Sequence, residues 1–124
     1  MAAADSMLFR VDQIVVDGKP VAFEDGSAML SGAAGYENEI VVSASGPDFA
    51  RRKRVPRVLK LNMQFSNATD PAQLAKAQGV QITLRDSQAG RRCIANNCQF
   101  GSMGDIGGGT VAITYNVLSP LQWL

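Results

Sequence analysis

Histidine is absent from this 124-residue chain, and cysteine occurs only twice. Without imidazole, histidine-dependent acid–base and nucleophilic catalysis are excluded. Two thiols without histidine are too few for a structural metal site, and they lack the CxxC spacing of a redox pair. No run of eighteen apolar residues occurs, so a helical membrane span is not expected. Excess charge is missing too: twelve bases against eleven acids leave +1, too little for a general binder of phosphate backbones. Aromatic residues make up 6%, and only Phe49 lies beside the one basic run, where a single-strand binder would present several stacking rings. The N-terminal MAAADSMLFR has neither a basic leader nor an apolar core, so the expectation is a chain made and folded in a cytoplasm.

What is present is alternation. Val58 to Phe65 places Leu59, Leu61, Met63 and Phe65 on one side and Lys60, Asn62 and Gln64 on the other. Val111, Ile113, Tyr115 and Val117 alternate likewise with Thr110, Ala112, Thr114 and Asn116. A period of two predicts half-buried strands with one wet face. Glu37 to Ala44 begins in the same way, which predicts Glu37 and Glu39 on the wet side and Ile40 and Val42 in the core. Residues 10–16, 80–86 and 91–101 are further strands, and Asp17-Gly18-Lys19 is a hairpin turn. A short strand is expected around Ala28, Met29 and Leu30. One helix is marked by Asp70 as N-cap, Pro71 at the first helical position and Gly79 as its stop.

Between the strands ending at Ala44 and starting at Val58 lies SGPDFARRKRVPR, with Arg51, Arg52, Lys53, Arg54 and Arg57 in seven positions. A hairpin turn needs only a few residues, so 45–57 reads as an extended contact loop, with Asp48 and Phe49 at its start. A plain solvated loop and a phosphate contact are the other readings of the run. Acids gather at Asp12, Asp17, Glu24, Asp25, Glu37 and Glu39, which suits one patch meeting the opposite patch on a copy. The paired carboxylates Glu37 and Glu39 share a strand face and read as solvated charges, not as a hydrolase pair, so no catalytic, cofactor or metal residue is assigned. Residues 1–9 read as an arm and 118–124 as an uncovered apolar tail in need of a partner.

Cys93 and Cys98 are five apart, so on a regular strand they point to opposite faces about 16 Å apart and cannot bridge each other. Either both are buried thiols, or Cys93 of one copy bonds Cys98 of a neighbour across a head-to-tail contact. The fold class expected is mainly β, an antiparallel sandwich or partial barrel with one short helix, in a single domain over 1–124.

The order of these elements resembles the tail tube proteins of contractile phages, closest to the Mu-like group. The sharpest stretch is VQITLRDSQAGRRCIANNCQFGSMGDI followed by GTVAITYNV, with Ile94, Asn96, Asn97 and Gly101 in one motif and Gly109, Val111 and Tyr115 in the next. By element order the likeness spans roughly residues 10–118. It implies hexameric rings in which inner strands of neighbouring copies join into one barrel, stacked into a tube in a virion tail. Sheath, baseplate and tape-measure proteins are the implied partners, and DNA passes without specific binding. On this resemblance Glu37, Glu39, Lys60, Asn62, Gln64, Thr110, Thr114 and Asn116 would line the lumen. Asp48, Phe49, Arg51, Arg52, Lys53, Arg54 and Arg57 would meet the next ring. A type VI secretion tube shares the architecture, and a monomeric β-sandwich adaptor binding through 51–57 is the reading from another class.

Overall fold

A computed structural model describes residues 7–67 and 69–124; of the expected arm, residues 1–6 lie outside the described residues. Ten strands follow one another: β1 (Gln13–Val16), β2 (Lys19–Val21), β3 (Met29–Ser31), β4 (Tyr36–Val41), β5 (Phe49–Arg54), β6 (Arg57–Gln64), β7 (Gln78–Asp86), β8 (Arg91–Met103), β9 (Thr110–Val117) and β10 (Leu121–Trp123). Helix α1 (Pro71–Leu74) separates β6 from β7. All ladders are antiparallel, in the order β2-β1-β7-β8-β9-β6-β3, with β10 beside β8 and β4-β5 forming a sheet of their own.

The alternating segments behave as their period dictates. Leu59, Leu61 and Met63 on β6 and Val111, Ile113, Tyr115 and Val117 on β9 are buried, and they pack with Ile14, Ile82, Leu84, Cys93, Ala95 and Cys98. Each fully buried branched aliphatic contributes about 1.5–3 kcal/mol, so this single inner face carries the stability. The large sheet curls around it. Past β2 the chain crosses to β6 through the Phe23–Met63 bridge, with Glu24 N donating to Asn62 O (2.8 Å) and Gln64 N to Ala22 O (3.0 Å). The result is the partial barrel of the two expected alternatives.

Local chemistry explains the turns. Asp17 and Gly18 both have positive φ (49° and 80°), the two-residue geometry that matches the twist of a hairpin. Asp70 accepts from Ala72 N (3.1 Å) and Pro71 opens the helix as expected. The stop differs: the helix ends at Leu74 with Ala75 as its C-cap, and Gly79 lies inside β7 at φ 65°, where the register against β8 shifts. That glycine makes a β-bulge, which needs the same left-handed conformation as a helix stop. The C-terminal segment differs as well. Part of it is a strand, β10, which pairs with Cys93–Ala95 of β8 and sets Trp123 edge-on against Phe9 (5.3 Å) beneath Arg91, while Leu118, Trp123 and Leu124 stay 55%, 38% and 51% exposed.

Candidate assembly surfaces

Two surfaces remain unexplained by the core. The first is the outer face of β6, β9 and β8. Cross-strand partners share a face, and the register pairs Lys60 with Thr114, Asn62 with Ala112, Gln64 with Thr110 and Val58 with Asn116. Six of the eight residues expected on a lumen wall therefore lie together: Lys60, Asn62, Gln64, Thr110, Thr114 and Asn116. The face continues onto β8, where Gln99 pairs with Asn116 and Ser102 with Thr114. Sequence reading missed these two because β8 breaks step: a register shift lies between Phe100 and Ser102. At Gly101 a Cβ would come within 2.9 Å of Thr114 O and 3.2 Å of Asn116 Oδ1, so glycine leaves room for the asparagine amide. Asn62 Nδ2 donates to Glu24 Oε2 (3.2 Å), tying the face to the crossing segment.

Glu37 and Glu39 do not join that face. They stand on β4, which pairs only with β5, so both belong to the second surface. There the expected 45–57 loop proves to be mostly strand: Phe49 to Arg54 pairs with Tyr36 to Val41 in a hairpin turning through 42–48. Asp48 caps the turn by accepting from Ser43 N (3.2 Å). Ile40 and Val42 are correspondingly not core; they are 74% and 78% exposed, as is Phe49 at 65%. Alternation was sound evidence for a strand there, but a strand standing free of the sheet has no buried side. At the hairpin base, Val55 N donates to Gly35 O (3.0 Å) and the Arg57 guanidinium lies against Gly35. Arg57 is thus an anchor of the hairpin and not part of its tip.

The hairpin has two unlike faces. On one, Glu37 faces Lys53, Glu39 faces Arg51 with an ion pair of 2.5 Å, and Val41 faces Phe49. On the other, Tyr36 faces Arg54, Asn38 faces Arg52 and Ile40 faces Ala50, with the Arg52 guanidinium 4.3 Å from the Tyr36 ring centre. The first face neutralises itself. The second carries two guanidinium groups and no acid.

Cys93 and Cys98 are both free and fully buried, which corrects the expectation of opposite faces. Val80 pairs with Cys98 and Ile82 with Ala95, so β8 holds one more residue than β7 across that interval. The extra residue leaves Asn96 and Asn97 both exposed and returns Cys98 to the core side. Both thiols are thus buried, the first of the two readings, and burial pushes Cys98 up to about 11.

No protein-family description matches this sequence, and no curated protein matches it. Among solved structures, it is similar to a chain of the PVC sheath–tube complex of an extracellular contractile injection system in its extended state. The TM-score is 0.63, at 12% identity, over 99% of this chain and 95% of that one. At that identity the likeness is one of fold, and it runs the length of both chains.

Proposed function

We propose that this chain is a structural, non-catalytic subunit of a contractile-tail tube, with copies set edge to edge in hexameric rings that stack. The observation that carries the reading is the polar outer face of β6, β9 and β8. One wet face is ordinary for an antiparallel sheet; what suits a lumen is that this one runs across three strands with Lys60 as its one charged residue. Lys60 is its one cation among the six lumen positions, so a passing polyanion meets few charges that would hold it. Edge strands support the same reading. In the lone chain β3 lies at one end of the sheet, and a closed ring of copies removes such edges. The hairpin then reaches a neighbouring copy, since its Ile40, Val42 and Phe49 stay 74%, 78% and 65% exposed among the described residues. The place of work on this reading is a virion tail, with sheath, baseplate and tape-measure proteins as partners and DNA as the traffic.

A second reading is favoured by the fold neighbour, whose complex belongs to an injection system. The same ring would then serve a tube that delivers protein. Electron microscopy of the purified chain tests both. Rings or tubes of uniform bore support the assembly, and the alanine replacement of Arg51, Arg52, Lys53 and Arg54 is expected to leave folded subunits that do not stack. A chain that stays monomeric at every concentration overturns the reading. Sequencing or mass spectrometry of material retained in native particles separates DNA from protein traffic.

A further inference from the structure

The hairpin's unneutralised face calls for a partner that is acidic and apolar at once. Such a patch exists on this same chain. Residues 7–12 cross the surface beside β7, where Met7 and Leu8 are 51% and 88% exposed. They border a depression of about 430 Å³ lined also by Asp12, Asp25 and Asp86, with Arg10 as its one cation. Asp86 is buried and spent on backbone amides, and Asp12 accepts from Ser87, but the Asp25 side chain is 80% exposed and shares only Arg10 (2.7 Å). With Asp86 buried, Asp12 and Asp25 stand against the one guanidinium of Arg10, which leaves the rim negative. Met29 of β3, 61% exposed, lines a neighbouring depression that shares Arg10.

We propose that the Tyr36–Ile40–Arg52–Arg54 face of one copy's hairpin docks on the Met7–Leu8–Asp12–Asp25 patch of a second copy. Ile40 lies against Leu8 and Met7, and Arg52 and Arg54 meet the carboxylates. The two surfaces are different, so the contact is head-to-tail and every docked copy presents a fresh hairpin for the next. Glu39 and Arg51, already paired with each other on the opposite face, take no part in this contact. This inference rests on the tube reading for its geometry but predicts a pairwise contact that is measured without a tube.

The test is cross-linking between variants of the full chain that each carry one introduced cysteine. Native Cys93 and Cys98 are fully buried, so an introduced surface thiol is the one that reacts in the folded protein. Ile40→Cys is mixed with Leu8→Cys under mild copper-phenanthroline oxidation, and Val41→Cys with Leu8→Cys serves as the control from the neutralised face. The first mixture is expected to give disulfide-linked dimer at least about tenfold faster, because docking raises the local thiol concentration towards millimolar. Adding Arg52→Glu and Arg54→Glu to the Ile40→Cys chain is expected to remove that advantage. Equal rates for the two mixtures overturn the docking, and if rings still form the tube reading survives its loss. Selective cross-linking by a chain that never forms rings supports the docking and removes the tube.

Discussion

Cys93 and Cys98 face the same core although five positions separate them on one strand. A bulge between them, not a turn, reverses the parity of β8. The thiolate is the reactive form, and burial raises both thiols, Cys98 to about 11. Neither is expected to react with a maleimide or an aromatic disulfide at neutral pH until the chain unfolds. Labelling with and without denaturant measures this, and non-reducing gels of assembled material are expected to show monomer alone.

Gly32 offers a sharper test of backbone geometry. It has φ 69°, and a Cβ there would meet the carbonyl oxygen of Pro56. Gly32→Ala therefore combines a left-handed alanine, costing about 1–2 kcal/mol, with a clash against backbone that cannot move aside. Gly46, in the hairpin turn, has open space and no positive φ. Thermal melts are expected to show Gly32→Ala several degrees or more below the parent and Gly46→Ala unchanged.

Acid sensitivity concentrates at Asp86. Arg10 N donates to its carboxylate (2.9 Å), as do Ala89 N and Gln88 N (both 3.1 Å), and together these outweigh burial to hold its pKa below the ordinary 3.8. A group depressed in the folded state stabilises fully above its unfolded value and loses that contribution as pH falls through the folded one. Denaturation midpoints measured between neutral pH and pH 2 are expected to fall less steeply for Asp86→Asn than for the parent. The loss starts near the unfolded carboxylate range, and loosening of residues 7–11 accompanies it.

The two faces of β6 and β9 should part company under mutation. Ile113→Ala, at a core position 1% exposed, is expected to cost about 2–5 kcal/mol. Lys60→Ala, on the outer face, is expected to stay within about 0.5 kcal/mol. Chemical denaturation of the two variants measures the difference.

Why some of this was legible and some was not follows from where each residue's surroundings come from. β6, β7 and β9 bury one face against a core built by the whole sheet, so their period of two is written in the chain. Asp17-Gly18 and Asp70-Pro71 carry local backbone chemistry, and those signals were correct. β4 was legible as a strand but β5 was not, because neither face of their hairpin is buried: six consecutive exposed residues, Phe49 to Arg54, leave no alternation to detect. Asn96 and Asn97 hid a bulge, since nothing local distinguishes an inserted residue from the next step of a strand. The pairing of Leu121–Trp123 with β8, and the contact of Trp123 with Phe9, stayed hidden because those partners are distant in sequence.

The hairpin also makes a prediction about dynamics. A two-stranded ribbon without a sheet behind it is marginal in water, and β4 and β5 have only each other as ladder partners. The ion pair of Glu39 with Arg51 is exposed and adds at most about 1 kcal/mol. In dispersed subunits the amides of 36–41 and 49–54 are therefore expected to exchange rapidly, by local opening rather than global unfolding, while those at Ile82 and Ile113 exchange slowly. Packing of Ile40 and Val42 onto another copy would remove the opening route. On assembly the hairpin amides are expected to slow by orders of magnitude while the core changes little. Hydrogen–deuterium exchange on dispersed and assembled material measures both sets. Hairpin amides that stay fast in the assembled state would mean that β4 and β5 take no part in holding copies together.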